Sequence, residues 1–433
     1  MNPLAQQLNE RLAAGAPNTL AALSELGKGL YFPKGILTQT AEARAKAHRF
    51  NATIGIATED GGPMYLPAVR DSFAADVDPA ELFPYPPSPG LPALRELWRE
   101  KQLRENPSLA GKSFGTPIVT SGLTHGISLC ADLFCDPGDL LILPDKLWGN
   151  YNMTFGLRRG AKIVQYPFYT ADGAGFNAAG LRDALMANRA AGKAIVLLNF
   201  PNNPTGYTPN EAEARAIVAS LHEAAEAGLN LVCITDDAYF GLFYGDSIKE
   251  SLFGRLVGLH PRITPVKVDG PTKELYVWGL RIGFITFAAP TAEALAALEA
   301  KTTGCMRSVI SFVALPSQSV VLRALRAPEF PEQHRQKVAI LAERARRVRA
   351  LLDDARFDDA WSVYPFNSGY FMCLRLKEVD AEALRVHLLE RYGVGTIALG
   401  ATDLRVAFSC TELDQIEPLF DCIYRGVQDV RRA

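Results

Sequence analysis

Lys273 is the one lysine in VDGPTKELYVWGLRIGF (268–284), and Arg281 follows it by eight positions. An amine set among small and apolar residues can do carbonyl chemistry once burial strips its proton. A guanidinium nearby can grip an anion with its planar fork of donors. The same stretch also reads as a hairpin with two solvated charges. CITDDAYFGLFY (233–244) brings two carboxylates, Asp236 and Asp237, to the end of an apolar run, with Tyr239 just behind. A carboxylate there is costly unless a cation or donor meets it. A plain turn cap accounts for one of them; two in a row suit one partner inside and one outside. FPNNPTGYTP (200–209) packs Asn202, Asn203, Pro204 and Gly206 into a tight turn after another apolar run. SGLTHG (121–126) joins a strand pattern to a helix pattern, where free N–H groups and the positive dipole end form an anion site. Taken singly, each motif reads equally well as an ordinary turn or helix start.

The elements that must carry these residues alternate. Strand-like apolar runs occur at 116–121, 139–145, 161–167, 194–200, 230–237, 264–270 and 280–287. Several are β-branched and apolar nearly throughout, as strands buried on both faces are. Helical periodicity separates many of them. In 121–134 it sets Leu123, Ile127, Cys130, Ala131 and Phe134 on one face. In 208–228 Thr208-Pro209-Asn210 gives a start signal and Gly228 a stop. The expected fold is α/β, a mostly parallel central sheet with helices on both faces. After Pro316 the pattern changes. A long charged helix (331–355), a strand (369–376), a helix (381–393), a strand (403–409) and a last helix form a smaller α+β domain with the N-terminal segment. The expected divisions are 1–60 as N-terminal arm, 61–325 as large domain and 326–433 as small domain.

Length and composition agree with two domains of an ordinary globular protein: 433 residues, 48% hydrophobic and 21% charged. A net charge of −2 gives no reason to expect nucleic acid or an anionic membrane as partner. Seven cysteines without a C-x-x-C pair and six histidines without H-E-x-x-H spacing indicate neither a disulfide framework nor a metal site. The N-terminal residues do not read as a signal peptide, and no apolar stretch suffices to span a bilayer. A cytoplasmic protein is expected.

In chain order the motifs resemble the aspartate aminotransferase branch of the fold-type I, class I/II pyridoxal-phosphate enzymes. NNPTG matches the family's Asn-Pro-Thr-Gly signature, and the resemblance extends over nearly the whole chain. It implies that Lys273 is the Schiff-base lysine and Arg281 the phosphate-binding arginine, with Gly122, Leu123 and Thr124 in the phosphate cup. Asp236 then pairs with the pyridine nitrogen, while Asn203 and Tyr239 bond the ring's phenolic oxygen. KLWGNY (146–151) sets Trp148 on the ring-stacking position. YPPSPGLPALR (85–95) sets Tyr85 on the residue that reaches the partner subunit's phosphate. NATIGIATEDGGPMYLPAVR (51–70) sets Gly55 on a substrate-contacting glycine. LRVAFS puts Arg405 on the arginine that holds the substrate α-carboxylate, and MRSVIS (306–311) puts Arg307 on one that meets a distal carboxylate across a dimer interface. The implied activity is ping-pong transfer of an amino group between an L-amino acid and a 2-oxo acid. A dicarboxylic partner such as aspartate, glutamate or 2-oxoglutarate follows from Arg307, and Lys273 is the acid–base group. The implied assembly is a homodimer with active sites at the subunit interface.

Three positions depart from the family pattern. Gly270 stands where Ser or Thr is usual, Leu123 where a hydroxyl is common, and Tyr151 where aspartate enzymes carry a histidine behind the buried Asp. Without a dicarboxylate, the side-chain pocket would fall to Ile54, Tyr65 and Tyr151. His125 and the cysteines read as structural. A lyase or racemase on the same scaffold would use the same cofactor residues. A ligand-sensing regulator would need a DNA-binding module ahead of the domain. A non-enzymatic binding protein would have no use for both Lys273 and Asp236.

Overall fold

The computed structural model describes residues 2–15, 36–53, 55–73 and 77–432, with residues 20, 23, 28 and 29. Seven strands form the main sheet: β1 (Ile118–Thr120), β2 (Leu140–Pro144), β3 (Lys162–Tyr166), β4 (Lys193–Asn199), β5 (Asn230–Asp236), β6 (Ile263–Asp269) and β7 (Gly283–Phe287). Their spatial order is β1-β7-β6-β5-β4-β2-β3. All pairings are parallel except those of β7, which inserts antiparallel between β1 and β6. Side chains alternate across the sheet. Ile195, Leu197, Val232 and Ile234 join one buried cluster; Ala194, Val196, Leu198, Leu231 and Cys233 join another on the opposite face. Two apolar faces at period two require a layer of helices on each side.

Helix α1 (Pro92–Glu105) and α2 (Leu123–Phe134) belong to those layers, and Leu123, Ile127, Cys130 and Ala131 of α2 are buried as their spacing predicts. Helix α3 (Glu211–Glu226) starts at a capping box: Asn210 accepts from the Glu213 N–H at 3.0 Å and Glu213 accepts from the Asn210 N–H at 2.8 Å. The long charged helix α4 runs Phe330–Leu352. A second sheet, order β8-β9-β11-β10, is antiparallel throughout: β8 (Trp361–Val363), β9 (Phe371–Leu376), β10 (Ile397–Leu399) and β11 (Asp403–Ala407). The final helix α5 (Ile416–Arg432) covers it with Ile416, Leu419, Phe420 and Ile423. The N-terminal segment joins this second unit: Phe50 and Asn51 pair with Val394 and Gly395, and Ala52 lies in its core. Among the described residues no helix is long and apolar enough to cross a membrane.

Candidate active site

One cavity lies outside the carboxyl ends of β4, β5 and β6, where open α/β sheets bind ligands. Its floor is Lys273. β6 ends at Asp269, and Pro271 starts a single helical turn, Pro271–Glu274. The Lys273 carbonyl accepts a hydrogen bond from the Tyr370 hydroxyl at 2.7 Å, so the residue just before β9 (Phe371–Leu376) pins the turn. The amine projects into the cavity, 5.3 Å from the Tyr239 ring centre. Burial pushes it down to about 8 against the pull of Asp236, and Arg281 adds to the depression. The neutral amine is therefore far more populated near pH 7 than that of an ordinary lysine.

Asp236 ends β5 and is buried. One carboxylate oxygen accepts from the Tyr151 hydroxyl at 2.6 Å and the other from the Ala238 N–H at 3.2 Å. Burial raises its pKa to about 6, against the opposing effects of the Tyr151 hydroxyl and Lys273. Asp237 corrects the expectation of one inner and one outer acid, because both are buried. Asp237 turns to the opposite side, to Lys267 and to the Ser251 hydroxyl at 2.6 Å. Only Asp236 faces the cavity. Tyr151, expected to line a side-chain pocket, lies on the wall of this cavity and also supports the Asp236 carboxylate. A hydrogen bond to a charged group contributes about 1.5–3 kcal/mol, equivalent to about 1–2 pH units. Tyr151→Phe should therefore move the Asp236 titration upward from about 6. Cofactor uptake that needs the ionised acid should then fail at correspondingly higher pH, and quenching of Trp148 fluorescence between pH 5 and 9 would report it. An unchanged profile would mean that Tyr151 does not hold the charge.

The Asn turn is braced by Asn199, which sequence reasoning missed. Asn199 accepts from the Asn203 N–H at 2.9 Å and donates to the Asp236 carbonyl at 2.9 Å. Its signal was a polar side chain closing an otherwise apolar strand. Trp148 stands edge-on to Tyr151, ring centres 5.5 Å apart, on the cavity wall.

The anion cup forms where β1 meets α2. Gly122 is the N-cap, with φ 76°, and no side chain caps the helix, so the first-turn N–H groups at Leu123 and Thr124 stay free for a ligand. A Cβ at Gly122 would lie 2.5 Å from the Arg281 guanidinium. Arg281 itself takes φ 53°, a backbone strain of the kind that functional sites hold. His125 keeps its structural reading with a definite job, since its Nδ1 accepts the Ser121 N–H at 3.1 Å and fixes this turn. The Gly270 departure has a steric cause. A Cβ there would come within 2.8 Å of the Gly283 Cα, leaving no room for a hydroxyl side chain. The cup thus rests on backbone N–H groups and Arg281. Together with an amine, a buried acid and a stacking indole, it suits pyridoxal phosphate.

Arg405 is buried at the edge of the cavity. It donates to the Asn203 side chain at 3.0 Å and the Thr53 carbonyl at 3.1 Å, and lies 4.1 Å from the Phe371 ring centre. A Cβ on Gly55 would sit 3.6 Å from the same ring. Tyr85 and Arg307 lie away from this cavity, in an exposed groove where both meet Phe312. Tyr65 is 45% exposed beside Arg70 and does not line the cavity; Ile54 lies outside the described residues.

The family described as aminotransferase class I and II matches residues 52–423. A probable aspartate/prephenate aminotransferase of Aquifex aeolicus is 26% identical over 362 residues, 81% of this chain and 83% of that protein. The mitochondrial aspartate aminotransferase of Schizosaccharomyces pombe is 22% identical over 81% of each chain. A crystal structure of an aminotransferase from Anaerococcus prevotii, 23% identical, shares the fold with a TM-score of 0.82 over 94% of this chain and 99% of its own. The chain belongs to the class I and II aminotransferases and is a transaminase dependent on pyridoxal 5′-phosphate.

Proposed function

We propose that the protein moves an amino group between an L-amino acid and a 2-oxo acid, with a dicarboxylate as one partner. The observation that carries this reading is Arg405: a buried guanidinium for which no carboxylate lies within ion-pairing distance among the described residues. An unpaired buried cation is costly, so the site favours an anion, and the α-carboxylate of an amino acid is the anion the chemistry supplies. When bound, pyridoxal phosphate supplies a carbonyl for the amino group and a ring that draws electron density from Cα. The chain's residues do the rest. Arg281 and the N–H groups of Leu123 and Thr124 hold the phosphate. Trp148 would stack on the ring, Asp236 would meet its nitrogen, and Asn203 and Tyr239 would bond its oxygen. Lys273 takes the proton from Cα and returns it on the other side of the exchange. In this reading the enzyme is a cytoplasmic homodimer of three parts, 1–60, 61–325 and 326–433, with Tyr85 and Arg307 serving the neighbouring site. Mixing the cofactor-loaded protein with a panel of amino acids tests it. Spectral conversion with release of the matching 2-oxo acid is expected; ammonia with pyruvate would make it a lyase.

Arg307 carries the choice of partner. Removing one member of a desolvated charge pair costs about 3–5 kcal/mol. Arg307→Ala should therefore lower kcat/KM for a dicarboxylate by about 10²-fold or more, while an aliphatic or aromatic amino acid changes far less. Equal losses for both would make Arg307 a structural residue.

A further inference from the structure

Lys146, in the loop after β2, and Asp403, at the start of β11, are 257 positions apart, yet their Nζ and Oδ2 are 2.6 Å apart. Asp403 is almost wholly buried and Lys146 about one-fifth exposed, so the contact is shielded from solvent. The other Asp403 oxygen accepts from the Tyr364 and Thr402 hydroxyls, each at 3.1 Å. Lys146 also lies 5.3 Å from the Tyr364 ring centre and 3.7 Å from the more exposed Asp145. Burial works against the charge on Lys146, and Asp403 more than offsets it, raising the ammonium well above the ordinary lysine range.

What the pair holds is set by strand geometry. Asp403 opens β11 and Arg405 lies two residues on, so both side chains leave the same face. That face meets the main-sheet unit twice, once through Lys146 and once through Asn203. Asn202, next to Asn203, donates to the Lys146 carbonyl at 3.2 Å. The contacts therefore close a ring: Lys146, Asp403, along the strand to Arg405, across to Asn203 and Asn202, and back to Lys146. Trp148 sits two residues beyond Lys146 on the same loop.

We propose that Lys146 and Asp403 are positioning residues, a latch that sets the Arg405 guanidinium at a fixed place relative to the cavity wall formed by Asn203 and Trp148. The proposal rests on the reading of Arg405 as the α-carboxylate anchor. Breaking the latch frees the Asp403 end of β11, two residues from Arg405, so carboxylate binding weakens while the cofactor contacts and the Lys273 proton step stay in place.

The test uses the full-length, cofactor-loaded enzyme, the best amino acid from the panel, and the deaminated carboxylate of the same skeleton as a dead-end inhibitor. Lys146→Met is expected to raise KM and the inhibition constant about 10-fold each, equivalent to about 1.4 kcal/mol. In that variant kcat should change less than about threefold, with the cofactor absorbance spectrum unchanged. Lys146→Arg keeps the charge and should restore most of the affinity. Asp403→Asn keeps the Tyr364 and Thr402 partners and is read in place of Lys146→Met if the latter does not fold. A folded variant with unchanged KM and inhibition constant, or one that loses kcat alone, overturns the latch. Arg405→Met runs in parallel. If it keeps carboxylate affinity, the anchor reading fails and the latch with it; if it loses affinity while Lys146→Met keeps it, the latch alone fails.

Discussion

Lys273→Ala is expected to leave a folded, cofactor-binding protein whose amino-group transfer has fallen by about 10⁴-fold or more. Positioned proton transfer alone contributes about 10²–10⁴-fold, and this lysine is also the proposed point of covalent attachment. The fold should survive because the Lys273 side chain faces an open cavity. The hydrogen bond that holds its turn uses the backbone carbonyl, which alanine keeps. Arg281, Asp236 and Trp148 remain to bind the cofactor. Three measurements check this: the melting temperature, the bound-cofactor spectrum, and single-turnover rates with the best amino acid. Borohydride treatment should fix cofactor to the parent chain and not to the variant. Fixation to the variant would place the reactive amine elsewhere, and near-normal turnover would remove Lys273 from the chemistry altogether.

Asp236→Ala has the second largest expected effect. An ionised cofactor ring facing a site without its carboxylate is an uncompensated buried charge, a loss of about 3–5 kcal/mol, or about 10²–10⁴-fold in rate. The loss should fall on kcat more than on substrate KM, since Asp236 does not touch Arg405. Asp237 is no replacement, for its carboxylate is engaged with Lys267 and Ser251 on the far side. Asp236→Asn separates charge from shape, because the amide keeps an acceptor for the Tyr151 hydroxyl while losing the negative charge. Activity of the asparagine variant close to the parent's would mean that hydrogen bonding, not charge, is what the position supplies.

Most of the polar groups that line the cavity were legible because their signals are local. Asp236 and Asn203 stand at the ends of apolar runs, Gly122 at a strand-to-helix turn, and Lys273 as the one lysine of 268–284. Strand positions were legible for the same reason, since burial on both faces writes itself as a continuous apolar run. What supports those groups was not legible. Tyr151 meets Asp236 from 85 positions away, Tyr370 meets Lys273 from 97, and Asp403 meets Lys146 from 257. No spacing rule joins residues that only the folded chain brings together. The antiparallel insertion of β7 was equally hidden, because the direction of a fully buried strand leaves no mark on its composition. Tyr151 reads from the sequence as a lining residue, which it is, but its bond to Asp236 cannot be read there. The structure gives it the task of the residue it replaces.

The close approach of Gly122, Gly270 and Gly283 has a consequence for how such a site can change over generations. A methyl group at Gly270 would press on Gly283, and one at Gly283 would come within 2.8 Å of the Gly122 carbonyl carbon and 2.9 Å of the Leu123 nitrogen. The anion cup and the start of the lysine turn therefore meet along a seam of backbone, with the side chains of Thr120 and Leu123 packed directly beside it. Any single replacement wedges the cup away from the amine. The three positions are sterically coupled, so a larger residue at any one of them requires the separation between β1, β6 and β7 to change with it.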